Sequence, residues 1–90
     1  MSSKILPQVT WCTKVDPKLY NAHMEVFGIN FKTLRLIEGK TQVEMGRILN
    51  VTHAAISHWE TGKKIPEVPM LISIAKYFDV SIDYLLGLED

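Results

Sequence analysis

The chain reads as all-α, a compact bundle of five short helices behind an N-terminal extension, and three observations lead there. Apolar residues recur at helical spacing in separate short segments. Helix-capping residues, and residues that tolerate left-handed backbone, stand at the segment ends. Between them lies one stretch, Thr41 to Lys63, TQVEMGRILNVTHAAISHWETGK, that reads as two helices joined by a tight turn.

The first helix is signalled by Phe27, Phe31 and Leu34 at i, i+4 and i+7, a single apolar stripe that ends near Glu38-Gly39, where glycine supplies the terminal turn. The second runs from Gln42 to about Leu49 with Met45, Gly46 and Leu49 inward. Asn50 follows at the left-handed stop, which Asn tolerates better than most side chains. Val51 plugs the corner. Thr52 caps a third helix, His53 to about Glu60, by accepting from a first-turn N–H that otherwise has no partner. Ile56 and Trp59 point inward there, and Gly46 lacks a side chain where the two helices pass most closely. Leu71, Ile74, Ala75 and Phe78 mark a fourth helix, entered after Pro66 and Pro69 and left at Asp79. Ser81 caps a short fifth helix carrying Ile82, Leu85 and Leu86, and Gly87 stops it.

Residues 1 to 26 form the extension. Val9, Trp11, Thr13 and Val15 alternate with Gln8, Thr10, Cys12 and Lys14, a strand period, with Pro7 and Pro17 at its flanks. Asp16-Pro17 is equally a helix start, Asp as cap and Pro in the first turn. A tail, a strand and a short helix all remain open for this segment. Cys12 is the sole cysteine, which rules out an intramolecular disulfide and a cysteine metal cluster.

Ninety residues allow one domain, and 47% apolar content is enough for a core. No apolar run reaches the about 18 residues that suggest a membrane span, and no secretion signal opens the sequence, so a cytoplasmic location is expected. The net charge is zero, but the charges are unevenly spread. Lys40, Arg47, Lys63 and Lys64 outnumber Glu44 and Glu60 in the central stretch, with His53 and His58 beside them. From Ile65 onward Lys76 stands against Glu67, Asp79, Asp83, Glu89 and Asp90. One mildly basic face and an acidic far end would orient the molecule toward phosphate.

The segments FGINFKTLR, VTHAAISHWETGKKIP and LISIAKYFDVSIDYLLG, in that order and spacing and with Thr41-Gln42 opening the second helix, resemble the lambda-repressor and Cro-like helix-turn-helix domains, the xenobiotic response element family, from Phe27 to Leu88. The departure is Asn50, where that family usually has glycine. The resemblance implies a five-helix bundle that reads operator DNA as a two-fold dimer. It also implies an ion pair between Arg35 and Glu60 across the bundle.

At about 100° per residue, His53, Ala54, Ser57 and His58 share the face of the third helix opposite Ile56 and Trp59. That face is free to enter a major groove, and the family's base contacts carry over to those four residues. His53 donates to a guanine or accepts from an adenine according to its tautomer, and Ala54 suits a thymine methyl. The absence of Arg and Gln from this face removes the strongest bidentate readers, which shifts weight to spacing and DNA deformability. Thr41 and Gln42 are expected on phosphate at a helix N-terminus, with Thr61, Lys63 and Lys64 on the loop after the third helix and Arg47 as a further backbone contact. Trp59, by its helical phase, belongs to the core.

The expected function is a sequence-specific transcriptional regulator, a repressor on a pseudo-palindromic operator, with double-stranded DNA and a second copy of the chain as partners. A second reading is an antitoxin or protein-interaction module, with a toxin or anti-repressor as partner. An enzyme finds no support: His53 and His58 are five apart, unlike metal ligands at i and i+4, and no paired nucleophile and base or phosphate-cradling glycine loop is present. No cofactor or metal is expected.

Overall fold

The computed structural model describes residues 17–88, with side chains from residue 21 onward. The alternating segment from Gln8 to Val15 and Cys12 lie outside the described residues. Within them the chain is helical: α1 Pro17–Ile37, α2 Gln42–Leu49, α3 His53–Glu60, α4 Val68–Phe78 and α5 Ile82–Leu86. No strand occurs among the described residues, and none of their helices is long and apolar enough to cross a membrane.

α1 is longer than its stripe from Phe27 suggests. It begins at Pro17 and passes position 26 without a break, 21 residues in all. Met24, half-buried, extends the Phe27 and Phe31 stripe by one turn, and proline at the first position costs a helix nothing because that N–H has no partner. The added turns are tied down at the far end of the bundle. His23 Nδ1 lies 2.6 Å from the Leu86 carbonyl, and Asn30 Nδ2 donates to the Tyr84 carbonyl at 2.9 Å. α1 thus adds donors at the C-terminal carbonyls of α5, of which that of Tyr84 also accepts from the Gly87 amide at 3.1 Å.

The core joins all five helices through Phe27, Phe31, Met45, Leu49, Ile56, Trp59, Leu71, Ile74, Ala75 and Leu85. Phe31 stands at its centre. Its ring stacks on Phe27 at 5.6 Å and meets Trp59 and Phe78 edge-on at 5.8 and 6.1 Å. Leu34 and Val51 pack against this core from its margin.

Each helix starts and stops as local chemistry requires. Thr41, Thr52 and Ser81 accept from Glu44, Ala55 and Tyr84 amides respectively. Pro69 lies inside the first turn of α4, not ahead of it, where a missing N–H is tolerated. The five C-terminal turns share one device, a left-handed residue at Gly39, Asn50, Gly62, Asp79 and Gly87. In each case the next residue's amide reaches back five positions, as Val51 N–H does to the Gly46 carbonyl at 2.8 Å and Val80 N–H to that of Ala75 at 3.0 Å.

Two glycines set helix distances. A Cβ on Gly46 would lie 2.8 Å from the Val51 carbonyl oxygen, in keeping with the close passage expected there. At Gly28 it would lie 2.6 and 2.7 Å from the Trp59 and Glu60 oxygens. α1 therefore rests directly on the end of α3. Gly28→Ala must force the two apart, and this overpacking outweighs the about 1 kcal/mol that Ala gains over Gly within a helix. A net loss of about 1 to 2 kcal/mol in urea unfolding is expected, and full wild-type stability would show that the contact has slack.

α2 opens on a complete capping box, with Thr41 N–H donating to Glu44 Oε1 at 2.8 Å and Glu44 N–H to Thr41 Oγ1 at 3.0 Å. The Thr41 amide holds the Glu44 carboxyl below its ordinary range, against some loss of hydration and with help from the Thr41 hydroxyl, Lys40 and Arg47. A lowered folded-state value gives stability above the unfolded pKa, about 4.3, which is lost as pH falls through the folded one. Wild type should therefore exceed Glu44→Gln in urea midpoint at neutral pH and lose that lead in acid. A lead that persists well below pH 4 would place the acid sensitivity elsewhere.

Candidate nucleic-acid interface

α3 is anchored by burial of Ile56 and Trp59 and turns its other side outward. His53 and Ala54 are exposed, and Ser57 and His58 are half-buried on the same side. The outward face carries two imidazoles, one hydroxyl and one methyl, a mixture of donors, acceptors and apolar surface without formal acid.

Beside it lies the start of α2. Gln42 Oε1 is 3.1 Å from His53 Nε2, so the first residues of α2 and α3 stand side by side. The amides of Gln42 and Val43 have no acceptor earlier in their helix, and this N-terminus carries the positive end of the helix dipole. Thr41 is committed to the capping box. Its hydroxyl accepts from Glu44 N–H and also helps to keep the Glu44 carboxylate ionised. That box is written in the sequence as Thr-x-x-Glu, a signal absent from the phosphate reading of Thr41.

On the other side of α3, Thr61 closes the helix by donating its hydroxyl to the Ser57 carbonyl at 3.0 Å. Gly62 then turns left-handed, and the amides of Lys63 and Lys64 both return to the His58 carbonyl, at 3.0 and 3.3 Å. This fixes the backbone of the two lysines while their side chains stay exposed. Arg47 is not brought into this group. It is exposed on α2 five residues after Gln42, about 140° around the helix.

Behind the outward face lies a buried polar cluster. Arg35 Nε and Nη2 donate to Glu60 Oε2 and Oε1 at 2.6 and 3.0 Å, and Arg35 Nη1 donates to the Lys40 carbonyl at 2.7 Å. The two side chains are 8% and 3% exposed. Gln42 Nε2 adds a third donor to Glu60, at 3.0 Å from Oε1. The expected Arg35–Glu60 pair is present, and Gln42 and His53 continue it to the surface. This continuation links residues far apart in sequence and has no local signature.

A helix-turn-helix family model matches residues 31–85. The HTH-type transcriptional activator BcrR of Enterococcus faecalis is 39% identical over 64 residues, covering 71% of this chain and 31% of that protein. The uncharacterized HTH-type transcriptional regulator YqaE of Bacillus subtilis (strain 168) is 38% identical over 61 residues, 68% of this chain and 53% of its own length. The HTH-type transcriptional regulator ImmR of the same organism is 32% identical over 63 residues, 70% of this chain and 50% of its own. The chain thus spans between 31% and 53% of the length of these relatives. No solved structure matches. With α2 and α3 capped, turned through a left-handed Asn50 and packed as described, and with the matched span running from within α1 to within α5, the chain belongs to the helix-turn-helix family of the Cro/C1 type.

Proposed function

We propose that this chain binds double-stranded DNA as a sequence-specific transcriptional regulator, a repressor acting as a homodimer on a pseudo-palindromic operator. The observation that carries the reading is the outward face of α3, anchored by Ile56 and Trp59 and flanked by the α2 N-terminus and the Lys63-Lys64 loop. Phosphate-binding elements on both sides of an exposed helix are what a groove between two phosphate strands requires. His53, Ala54, Ser57 and His58 face base edges on this reading. Thr41, Gln42, Thr61, Lys63 and Lys64 take phosphates, Gln42 with the second hydrogen of its amide, and Arg47 serves a flanking phosphate. Residues 27 to 88 act as the DNA-binding domain. The names of the matched relatives, transcriptional regulators and one activator, support the class. Repression needs promoter occupancy alone, which is what this face supplies.

The second copy is placed against α1 and α5. Ile29, Tyr84 and Leu88 are 62%, 37% and 54% exposed, and the Asn30–Tyr84 bond puts the first two on adjoining helices. Selection of bound DNA from a random pool should return inverted half-sites whose centres lie about one turn, roughly 34 Å, apart. A single unrepeated half-site at saturation would remove the dimer, and no enrichment would remove the DNA reading itself.

Base and phosphate roles separate by substitution. His58→Ala should relax preference at one operator position with a loss of about 1 to 3 kcal/mol, whereas Lys63→Ala should weaken all sequences alike and reduce the salt slope by about one. Titrations over operator variants and salt concentrations give both quantities. Matching profiles for the two variants would mean that the roles are misassigned.

A further inference from the structure

The two ends of the Gln42 side chain face different partners. Nε2 is 3.0 Å from Glu60 Oε1, and Oε1 is 3.1 Å from His53 Nε2. Glu60 is gripped at both oxygens by Arg35. A carboxylate held by a guanidinium is an acceptor and nothing else. Gln42 must therefore offer it the NH₂ end, which turns the Gln42 carbonyl toward His53. A carbonyl also only accepts, so the proton between them resides on His53 Nε2. In a neutral imidazole the other nitrogen is then an acceptor. Nδ1 has no hydrogen-bond partner among the described residues, and His53 is exposed in the first turn of α3.

We propose that Arg35, Glu60 and Gln42 form a positioning chain that fixes His53 as the Nε2–H tautomer, so that it reads DNA through Nδ1 as a hydrogen-bond acceptor. The base it selects carries an exocyclic amine in the major groove, adenine through N6 or cytosine through N4. Guanine and thymine present only acceptor atoms there, and two acceptors facing each other leave both unpaired. This rests on the proposed DNA reading and deepens it: of the two roles open to a histidine at this position, donor to guanine or acceptor from an amine, the buried ion pair selects the second. Gln42 acts through His53 and is a positioning residue.

Two measurements on the full chain test it. Ring ¹⁵N shifts of His53 in the DNA-free protein at neutral pH should show a protonated Nε2 and a bare Nδ1. Gln42→Ala, and Gln42→Met as a variant that keeps side-chain length, should move both shifts toward a tautomer mixture. The operator position read by His53 is the one whose preference His53→Ala erases. There, replacing adenine by a purine lacking the 6-amino group, or cytosine by a pyrimidinone lacking the 4-amino group, should weaken binding about tenfold. Either Gln42 variant should shrink that ratio while leaving ratios at other positions intact, an effect that general loss of phosphate contact or of folding does not produce. A proton on Nδ1, a guanine preference at that position, or a ratio unchanged by both Gln42 variants would overturn the inference. An Nε2–H ring on a protein that enriches no DNA would instead overturn the DNA reading.

Discussion

The Glu60 carboxylate is the constraint on which the arrangement of the first three helices depends. It is 3% exposed and takes three hydrogen bonds, two from Arg35 on α1 and one from Gln42 on α2. Arg35 uses a remaining nitrogen on the Lys40 carbonyl, which fastens the connection between α1 and α2. Such a group adds little net stability over an apolar replacement of similar volume, yet removing one partner alone leaves a buried charge and costs about 3 to 5 kcal/mol. Its effect is on geometry. With Gly28 bringing α1 against the end of α3 and Phe31 filling the space below, one relative placement of α1, α2 and α3 satisfies every buried polar side chain among the described residues.

The helices positioned in this way are too short to stand alone. α2 and α3 have eight residues each and α5 has five, below the about 12 to 15 at which even good helix formers are marginal in water. Termini make up most of each one, so unsatisfied end groups decide whether it forms. The structure answers with hydroxyl caps at three starts and the same left-handed closure at all five described ends. Side chains from α1 then complete the shortest helix, His23 and Asn30 reaching the carbonyls of α5. The backbone at the edges of the outward face is consequently fixed, since Thr52 begins α3 and the turn at Gly62 ends it.

Much of this was legible in the sequence because it is local. The stripes at Phe27, Phe31 and Leu34 and at Leu71, Ile74, Ala75 and Phe78, the hydroxyl caps and the Asn50 stop lie within a few residues of the features they control, and so does the division of α3 into a buried and an outward side. Three features were less accessible. Asp16-Pro17 was readable as a helix start, but its continuity with the aromatic stripe was not, since Pro17 lies roughly three turns before Phe27 and Met24 is a weak continuation of the stripe. Gly28 looks like a poor helix residue until the backbone of α3 is placed against it. The route from Arg35 through Glu60 and Gln42 to His53 joins residues 25, 18 and 11 positions apart, and no periodicity reports a contact of that kind. Thr41 was the reverse case, a local signal with two meanings. The Glu44 three residues later marks it as a cap before any ligand is considered.

On the proposed DNA reading, these constraints also set how the molecule divides affinity from discrimination. α3 spends Ala55, Ile56 and Trp59 on its buried and half-buried side, leaving four outward residues, none of them an arginine or a glutamine that could hold a purine with two bonds. The chain has no net charge, and its phosphate-directed lysines, Lys63 and Lys64, sit together on one short loop. Few charge contacts mean few counterions released and a shallow salt dependence. Non-specific binding is then weak as well, so a modest base preference stands out against it. A single-bond reader such as histidine contributes to that preference only if its donor and acceptor ends are not interchangeable. The buried pair beneath α3 supplies that condition, which ties the stability of the bundle and the selectivity of its face to the same carboxylate.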